Sequence, residues 1–235
     1  MAPNLTSHHF TQAAAQASAL AERVAAQLRD GIAARGRALV AVSGGTTPAA
    51  FFAELARQVL DWARVTVTLV DERWVPDTDP RSNAKLVKET LLQGPAAAAT
   101  FVPLYTGAAT PEAGLADAAT RIAALPLPFD AVLLGMGDDG HTASFFPGGD
   151  HLAEATDPHT LAQVLPMRAA HAGEPRITLT LPVLLATRAL YLLIRGAKKR
   201  DLIADVRLGM DSAKDYPVRD VVHQTQVPVA VYWAP

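Results

Sequence analysis

The chain contains no cysteine. That excludes thiol catalysis, disulfide bridges and cysteine-ligated metals. Neither sign of charge dominates. With 21 Lys and Arg against 23 Asp and Glu, the net charge of −2 lacks the electrostatic footprint of a nucleic-acid binder. Charged residues are scarce at 19% and apolar ones make up 50%, a balance that belongs to a globular chain rather than a disordered one. No basic segment followed by an unbroken apolar run opens the sequence, so neither a signal peptide nor a membrane anchor is expected. The expectation is a soluble cytoplasmic protein that binds neither membrane nor nucleic acid. Internal repeats, low-complexity tracts and linkers are also lacking, and 235 residues suffice for one large core. Residues 1–235 therefore read as one domain. Nothing in the sequence fixes assembly, and a monomer or weak homo-oligomer is expected.

Strand and helix patterns alternate along the chain. Residues 11–35 carry Ala17, Leu20, Val24 and Leu28 at helical spacing. Ala38–Val42 reads as a strand, followed by a loop. Thr47 as N-cap and Pro48 at the first helical position predict a helix to about Leu60. Val65–Val70 is a β-branched strand that ends in Asp71-Glu72-Arg73. Helices are predicted near 84–92 and 111–124, and strands at Phe129–Leu134, Arg176–Leu181, Ala189–Ile194 and Val227–Tyr232. Arg176–Leu181 alternates as a half-buried strand does, and Gly196 opens a further helix. This order predicts an α/β fold with a largely parallel sheet flanked by helices.

The most informative stretch is Gly135-Met136-Gly137-Asp138-Asp139-Gly140-His141-Thr142-Ala143-Ser144. Its glycines let the backbone turn sharply after an apolar strand, and carboxylates and an imidazole enter that turn. His141 beside Asp139 has the composition of a general base with a charge partner. A metal site at Asp138, Asp139 and His141 lacks HExxH-type spacing, and no metal is expected. His8 and His9 lie near a terminus expected to be mobile. His151, His159, His171 and His223 lack glycine turns and read as solvated or core-edge residues.

Polar clusters follow other strands too, where open α/β sheets bind ligands. Ser43-Gly44-Gly45-Thr46-Thr47-Pro48 suits an anion cradle, with backbone N–H groups and a helix N-terminus; an ordinary strand-to-helix turn is the alternative. It is neither a Walker loop nor a GxGxxG fingerprint. Gly196-Ala197-Lys198-Lys199-Arg200 puts cations in a helix's first turn, against the macrodipole. A bound anion resolves that conflict, and a solvated basic face is the other reading. Strand alternation sends Asp71 and Arg73 to one face, where they either pair with each other or meet a ligand. Arg176 starts its strand, and pattern alone makes it a surface charge.

In this order the motifs resemble the lactonase branch of the glucosamine-6-phosphate isomerase/6-phosphogluconolactonase family. The matching stretches are Ser43–Pro48, Asp71–Pro76, Ser82-Asn83, Gly135–Gly148, Arg176–Leu184 and Gly196–Lys199. The resemblance implies a NagB-like modified Rossmann fold and no cofactor. It implies hydrolysis of the sugar-phosphate lactone 6-phospho-D-glucono-1,5-lactone in the oxidative pentose phosphate pathway. It assigns phosphate contacts to Ser43, Gly44, Gly45, Thr46, Arg176 and Lys199. Asp71, Arg73 and Asp139 fall around the sugar with His141 as base, and Asn83 and Gly137 are further substrate contacts. The family lysine stands three residues after the glycine, which selects Lys199 over Lys198. Residues 150–173 match no usable motif.

Two rivals share this resemblance. The isomerase/deaminase branch carries a glutamate just before the Pro-Gly pair, and this chain has Phe146 there. An aromatic ring cannot transfer the proton that sugar ring opening needs. Sugar-phosphate-sensing regulators add a DNA-binding module, for which there is room before Ala38 only for a single helix.

Overall fold

The computed structural model describes residues 4–235. The described strands are β1 (Leu5–His9), β2 (Ala38–Val42), β3 (Val65–Leu69), β4 (Asp71–Arg73), β5 (Thr100–Val102), β6 (Ala131–Leu134), β7 (Val164–Met167), β8 (Arg176–Leu179), β9 (Leu190–Arg195) and β10 (Val229–Ala234). Seven of them form one parallel sheet in the order β1-β10-β9-β6-β2-β3-β5. The central strands are buried along their whole length, as Ala38–Val42 and Ala131–Leu134 are, because helices cover both faces.

The helices follow from their apolar spacing. α1 (Ala13–Arg35) buries Ala17, Leu20, Ala21, Val24, Ala25 and Leu28 on one stripe. It stops at Gly36, whose left-handed conformation lets its N–H close onto the Ile32 carbonyl. α2 (Ala49–Ala56) buries Phe51, Phe52 and Leu55, and full burial of each such side chain contributes about 1.5–3 kcal/mol. This helix is shorter than the predicted run to Leu60, and Pro48 is its N-cap rather than its first residue. The chain turns away early so that Trp62 can bury, with its Nε1–H donating to the Gln58 carbonyl. α3 (Asn83–Thr90), α4 (Pro111–Ala123), α5 (Leu152–Thr156), α6 (Leu181–Leu185), α7 (Ala197–Leu208) and α8 (Val218–His223) complete the set. No helix among the described residues is long and apolar enough to cross a membrane.

Two further differences from the sequence pattern matter. β8 belongs to a separate antiparallel sheet, β4-β8-β7, and Ile177, Thr178 and Leu179 are all buried rather than alternating. His8 and His9 lie in an ordered edge strand, their rings tilted against Tyr232 and Trp233 at 4.7 and 5.4 Å between ring centroids.

The topology locates the site. From β2 the chain winds outward through β3 to β5, then returns to β6 on the other side of β2 and winds towards β9 and β10. The winding therefore reverses between β2 and β6, and a crevice opens beyond the carboxyl ends of those two strands. The Ser43 N–H donates to the Leu133 carbonyl at 3.0 Å and joins the two strand ends at that point.

Candidate active site

A cleft of about 210 Å³ occupies this switch point. One wall is the loop after β2. Gly44, Gly45, Thr46 and Thr47 line the cleft, and among the described residues their N–H groups find no acceptor within the protein. The first turn of α2 adds further free N–H donors behind them. Gly44 is required here, since a Cβ at that position would lie 1.8 Å from Asn83 Oδ1.

β4 supplies the second wall. The chain leaves the parallel sheet at Val70, and alternation then splits Asp71-Glu72-Arg73. Asp71 and Arg73 line the cleft as expected. They form no ion pair with each other. Asp71 Oδ2 accepts from Ser144 Oγ at 2.6 Å in a buried contact, and the Asp71 carbonyl accepts from Asn83 Nδ2 at 3.0 Å. Glu72 turns the opposite way and is fully buried. Its carboxyl accepts from the N–H groups of Arg73, Asn83 and Ala84 and from Ser82 Oγ, which clamps β4 to the start of α3. Burial raises its pKa above the usual carboxylate range, although the backbone donors oppose the shift.

Across β4 and β8 the register places Arg73 directly opposite Arg176. Arg73 Nη1 donates to the Arg81 carbonyl, and its buried Nε has no partner. Arg176 donates to the carbonyls of Ala172 (2.6 Å) and Glu174 (3.3 Å), and burial lowers its pKa. Both side chains line the cleft. Arg176 is thus no surface charge, contrary to its sequence pattern and in keeping with the resemblance. Opposed like charges destabilise a strand pair, and an anion between them removes the repulsion.

The loop after β6 supplies the imidazole. His141 Nδ1 lies 2.6 Å from Asp139 Oδ1, and that hydrogen bond holds the Asp139 carboxyl down at about 2. An ionised carboxylate only accepts, so Nδ1 carries the proton and neutral His141 keeps a lone pair on Nε2. A Cβ at Gly137 would meet the imidazole at 2.2 Å, so the ring lies against bare backbone. His141 and Gly137 line the cleft, and Asp139 stands behind the ring. Ala143, also in the cleft, has φ +49°, the left-handed region that a non-glycine residue seldom occupies.

Lys199, at the start of α7, completes the lining. Its side chain is 23% exposed against 71% for Lys198, which does not reach the cleft lining. Both ammonium groups approach Asp138, at 3.8 and 3.5 Å. The positive first turn of α7 is therefore partly compensated by an exposed carboxylate.

The structure thus gathers Ser43, Gly44, Gly45, Thr46, Asp71, Arg73, Asn83, Gly137, His141, Arg176 and Lys199 around one cleft. Sequence reasoning missed Ser144 as the partner of Asp71 and Asp138 as the partner of both lysines. It also missed the packing of Phe146 against His141. The Ser144 and Asp138 contacts join segments far apart in sequence, whereas Phe146 meets His141 within the loop after β6. Among the described residues no group of three or more His, Asp or Glu side chains is placed to hold a metal ion.

Residues 11–233 match the model of the family described as glucosamine-6-phosphate isomerases/6-phosphogluconolactonase. The chain belongs to this family. It is 51% identical to a 6-phosphogluconolactonase of Rhizobium meliloti, an alignment that covers 97% of this chain and 98% of that protein. A 6-phosphogluconolactonase of Pseudomonas aeruginosa is 43% identical over 95% of this chain and 92% of its own. Among solved structures, a 6-phosphogluconolactonase from Shewanella baltica superposes with a TM-score of 0.94 at 38% identity, covering 98% of each chain. A monomeric glucosamine-6-phosphate deaminase of the NagB superfamily superposes at 0.75 with 19% identity, covering 96% of each chain, and shares the fold alone. The family thus has a NagB-like α/β fold, which this chain carries from β1 to β10.

Proposed function

We propose that this chain is a carboxylic ester hydrolase that converts 6-phospho-D-glucono-1,5-lactone to 6-phosphogluconate. The observation that carries this reading is the sharing of one cleft by two kinds of group. One is an anion-binding wall of free loop N–H groups with Arg176 and Lys199; the other is a His141–Asp139 pair. Identity of 51% to a named lactonase across nearly the whole chain supports the same reaction. The cleft draws on residues from Ser43 to Lys199, which favours reading 1–235 as one domain.

The phosphate docks first, between the Ser43–Thr46 loop, Arg176 and Lys199, and this holds lactone C1 near His141. Neutral His141 takes a proton from water through Nε2 as the water oxygen attacks C1. Asp139 orients the ring and favours the imidazolium that forms. Arg73, which lines the cleft from β4, is the donor for the oxyanion. The bond from C1 to the ring oxygen then breaks, and His141 returns its proton to that oxygen. Asp71 and Asn83 meet the sugar hydroxyls.

The deaminase reading lacks its carboxylate, because Phe146 stands at that position. The test is substrate discrimination. Turnover of the phosphorylated lactone should far exceed that of the unphosphorylated lactone, with no ammonia released from glucosamine 6-phosphate. Equal turnover of both lactones contradicts the phosphate site, and robust ammonia release contradicts the reaction.

A further inference from the structure

We propose that Phe146 is a positioning residue that links the general base to the phosphate-binding arginine, an inference that rests on the function just argued. Its ring is buried and lies 4.5 Å from the His141 ring between centroids, at 40°. The Arg176 guanidinium lies 5.3 Å from the centroid of the same ring. One side chain therefore touches both ends of the proposed machinery.

The chemistry of each contact has a reason. Arg176 is cationic, largely desolvated, opposite Arg73, and without an ion pair to any carboxylate among the described residues. Its hydrogen-bond partners are neutral carbonyls, and Asp71 and Glu72 offset the charge only through space, against the opposing effect of Arg73. An aromatic face attracts a guanidinium through its quadrupole yet leaves the net charge intact for an incoming phosphate. A carboxylate at this position would neutralise Arg176 and repel the phosphate. It would also give His141 a second anionic neighbour beside Asp139. Phe146 avoids both while walling one side of the imidazole from solvent. The backbone around it is fixed, since Phe145 is fully buried and the Phe146 carbonyl accepts from the Gly149 N–H at 3.0 Å.

The account predicts that the ring face, not merely its volume, sets anion affinity. F146L keeps an apolar side chain without the quadrupole, and F146M is the second variant if F146L does not fold. Calorimetric titration with inorganic phosphate should show Kd raised about 2- to 30-fold in the folded variant, the range of a cation–π contact. F146Y should restore wild-type affinity. In an R176A background F146L should add no further loss. kcat should fall in F146L and recover in F146Y, because the same ring positions His141. The proposal is overturned if folded F146L binds phosphate like the wild type, or if the loss is the same with and without Arg176, since that is the mark of general packing. It is overturned together with the anion site if the wild type binds no phosphate. Phosphate coupling between positions 146 and 176 without lactone turnover by the wild type would leave this inference standing and reject the proposed reaction.

Discussion

Arg73 and Arg176 stand directly opposite each other on β4 and β8, and both line the cleft without an ion pair to a carboxylate among the described residues. Such a pair is unfavourable until an anion bridges it. R176A and K199A are each expected to weaken 6-phosphogluconate binding by about 10- to 150-fold, the worth of a charge-assisted contact of about 1.5–3 kcal/mol. The ligand-free R176A protein should lose little stability, because a repulsion leaves with the contact. Phosphate should raise its melting temperature less than that of the wild type. Competitive inhibition and thermal shift measure both effects.

H141A should lower kcat by about 10²–10⁴-fold, or about 2.7–5.4 kcal/mol of barrier, with phosphate affinity almost unchanged. D139N should also lower kcat, since the amide no longer fixes the Nδ1–H tautomer. A kcat near that of the wild type in H141A removes His141 from the mechanism.

Asp139 also has a pH consequence with a definite sign. Its hydrogen bond from His141 depresses its carboxyl from the ordinary 3.8 to about 2. A depressed carboxyl contributes stability that is present above its ordinary value and lost as pH falls through the folded one. Asp139 should thus stay ionised, and add no limb to the pH–rate profile, at any pH above about 3. A carboxyl-detected NMR titration should place it low in the wild type and return it towards 3.8 in H141A. An unchanged value in H141A would show that another group holds it down.

Asp138 lies within 4 Å of both Lys198 and Lys199 and so competes with the incoming phosphate. D138N should tighten 6-phosphogluconate binding several-fold at low ionic strength, and the gain should shrink as salt screens the exposed charges. Weaker binding in D138N would mean that Asp138 steers Lys199 into place instead.

E72A removes the acceptor of three N–H groups, two of them buried, each costing about 1–3 kcal/mol when unsatisfied, so it should destabilise the fold by about 3 kcal/mol or more. Because burial raises the Glu72 carboxyl above 4.5, the folded state keeps a proton that the unfolded state has released. The advantage of wild type over E72A should therefore shrink as pH rises from 4.5 through the raised value. Denaturant unfolding at several pH values checks the size and the slope.

The parallel sheet was legible because β2, β6 and β9 are continuous apolar runs bounded by glycine loops, a pattern that burial on both faces demands. The small antiparallel sheet was not. Thr178 looks like an outward-facing polar residue, yet its hydroxyl bonds within the sheet, to the Leu179 carbonyl at 3.0 Å. β1 was equally hidden, because an edge strand buried only at Leu5 and exposed from Thr6 to His9 carries almost no apolar pattern.

The site divides in the same way. Ser43–Thr46, Asp71, Arg73 and His141 announce themselves by following strands, where loop chemistry is local. Arg176 begins its strand, and only antiparallel pairing with β4 carries it into the cleft. Ser144 binds Asp71 across a long sequence separation, a contact with no local trace. Glu72 obeys the alternation that separates it from Asp71 and Arg73: it is buried on the other face and shapes the site only through the backbone it holds.

The central claim is tested most directly by following 6-phosphogluconolactone hydrolysis with purified protein, corrected for spontaneous opening of the lactone, beside H141A at equal concentration. The account predicts rapid saturable hydrolysis by the wild type and a rate near the spontaneous one for H141A. Hydrolysis by the wild type no faster than the spontaneous rate would contradict it.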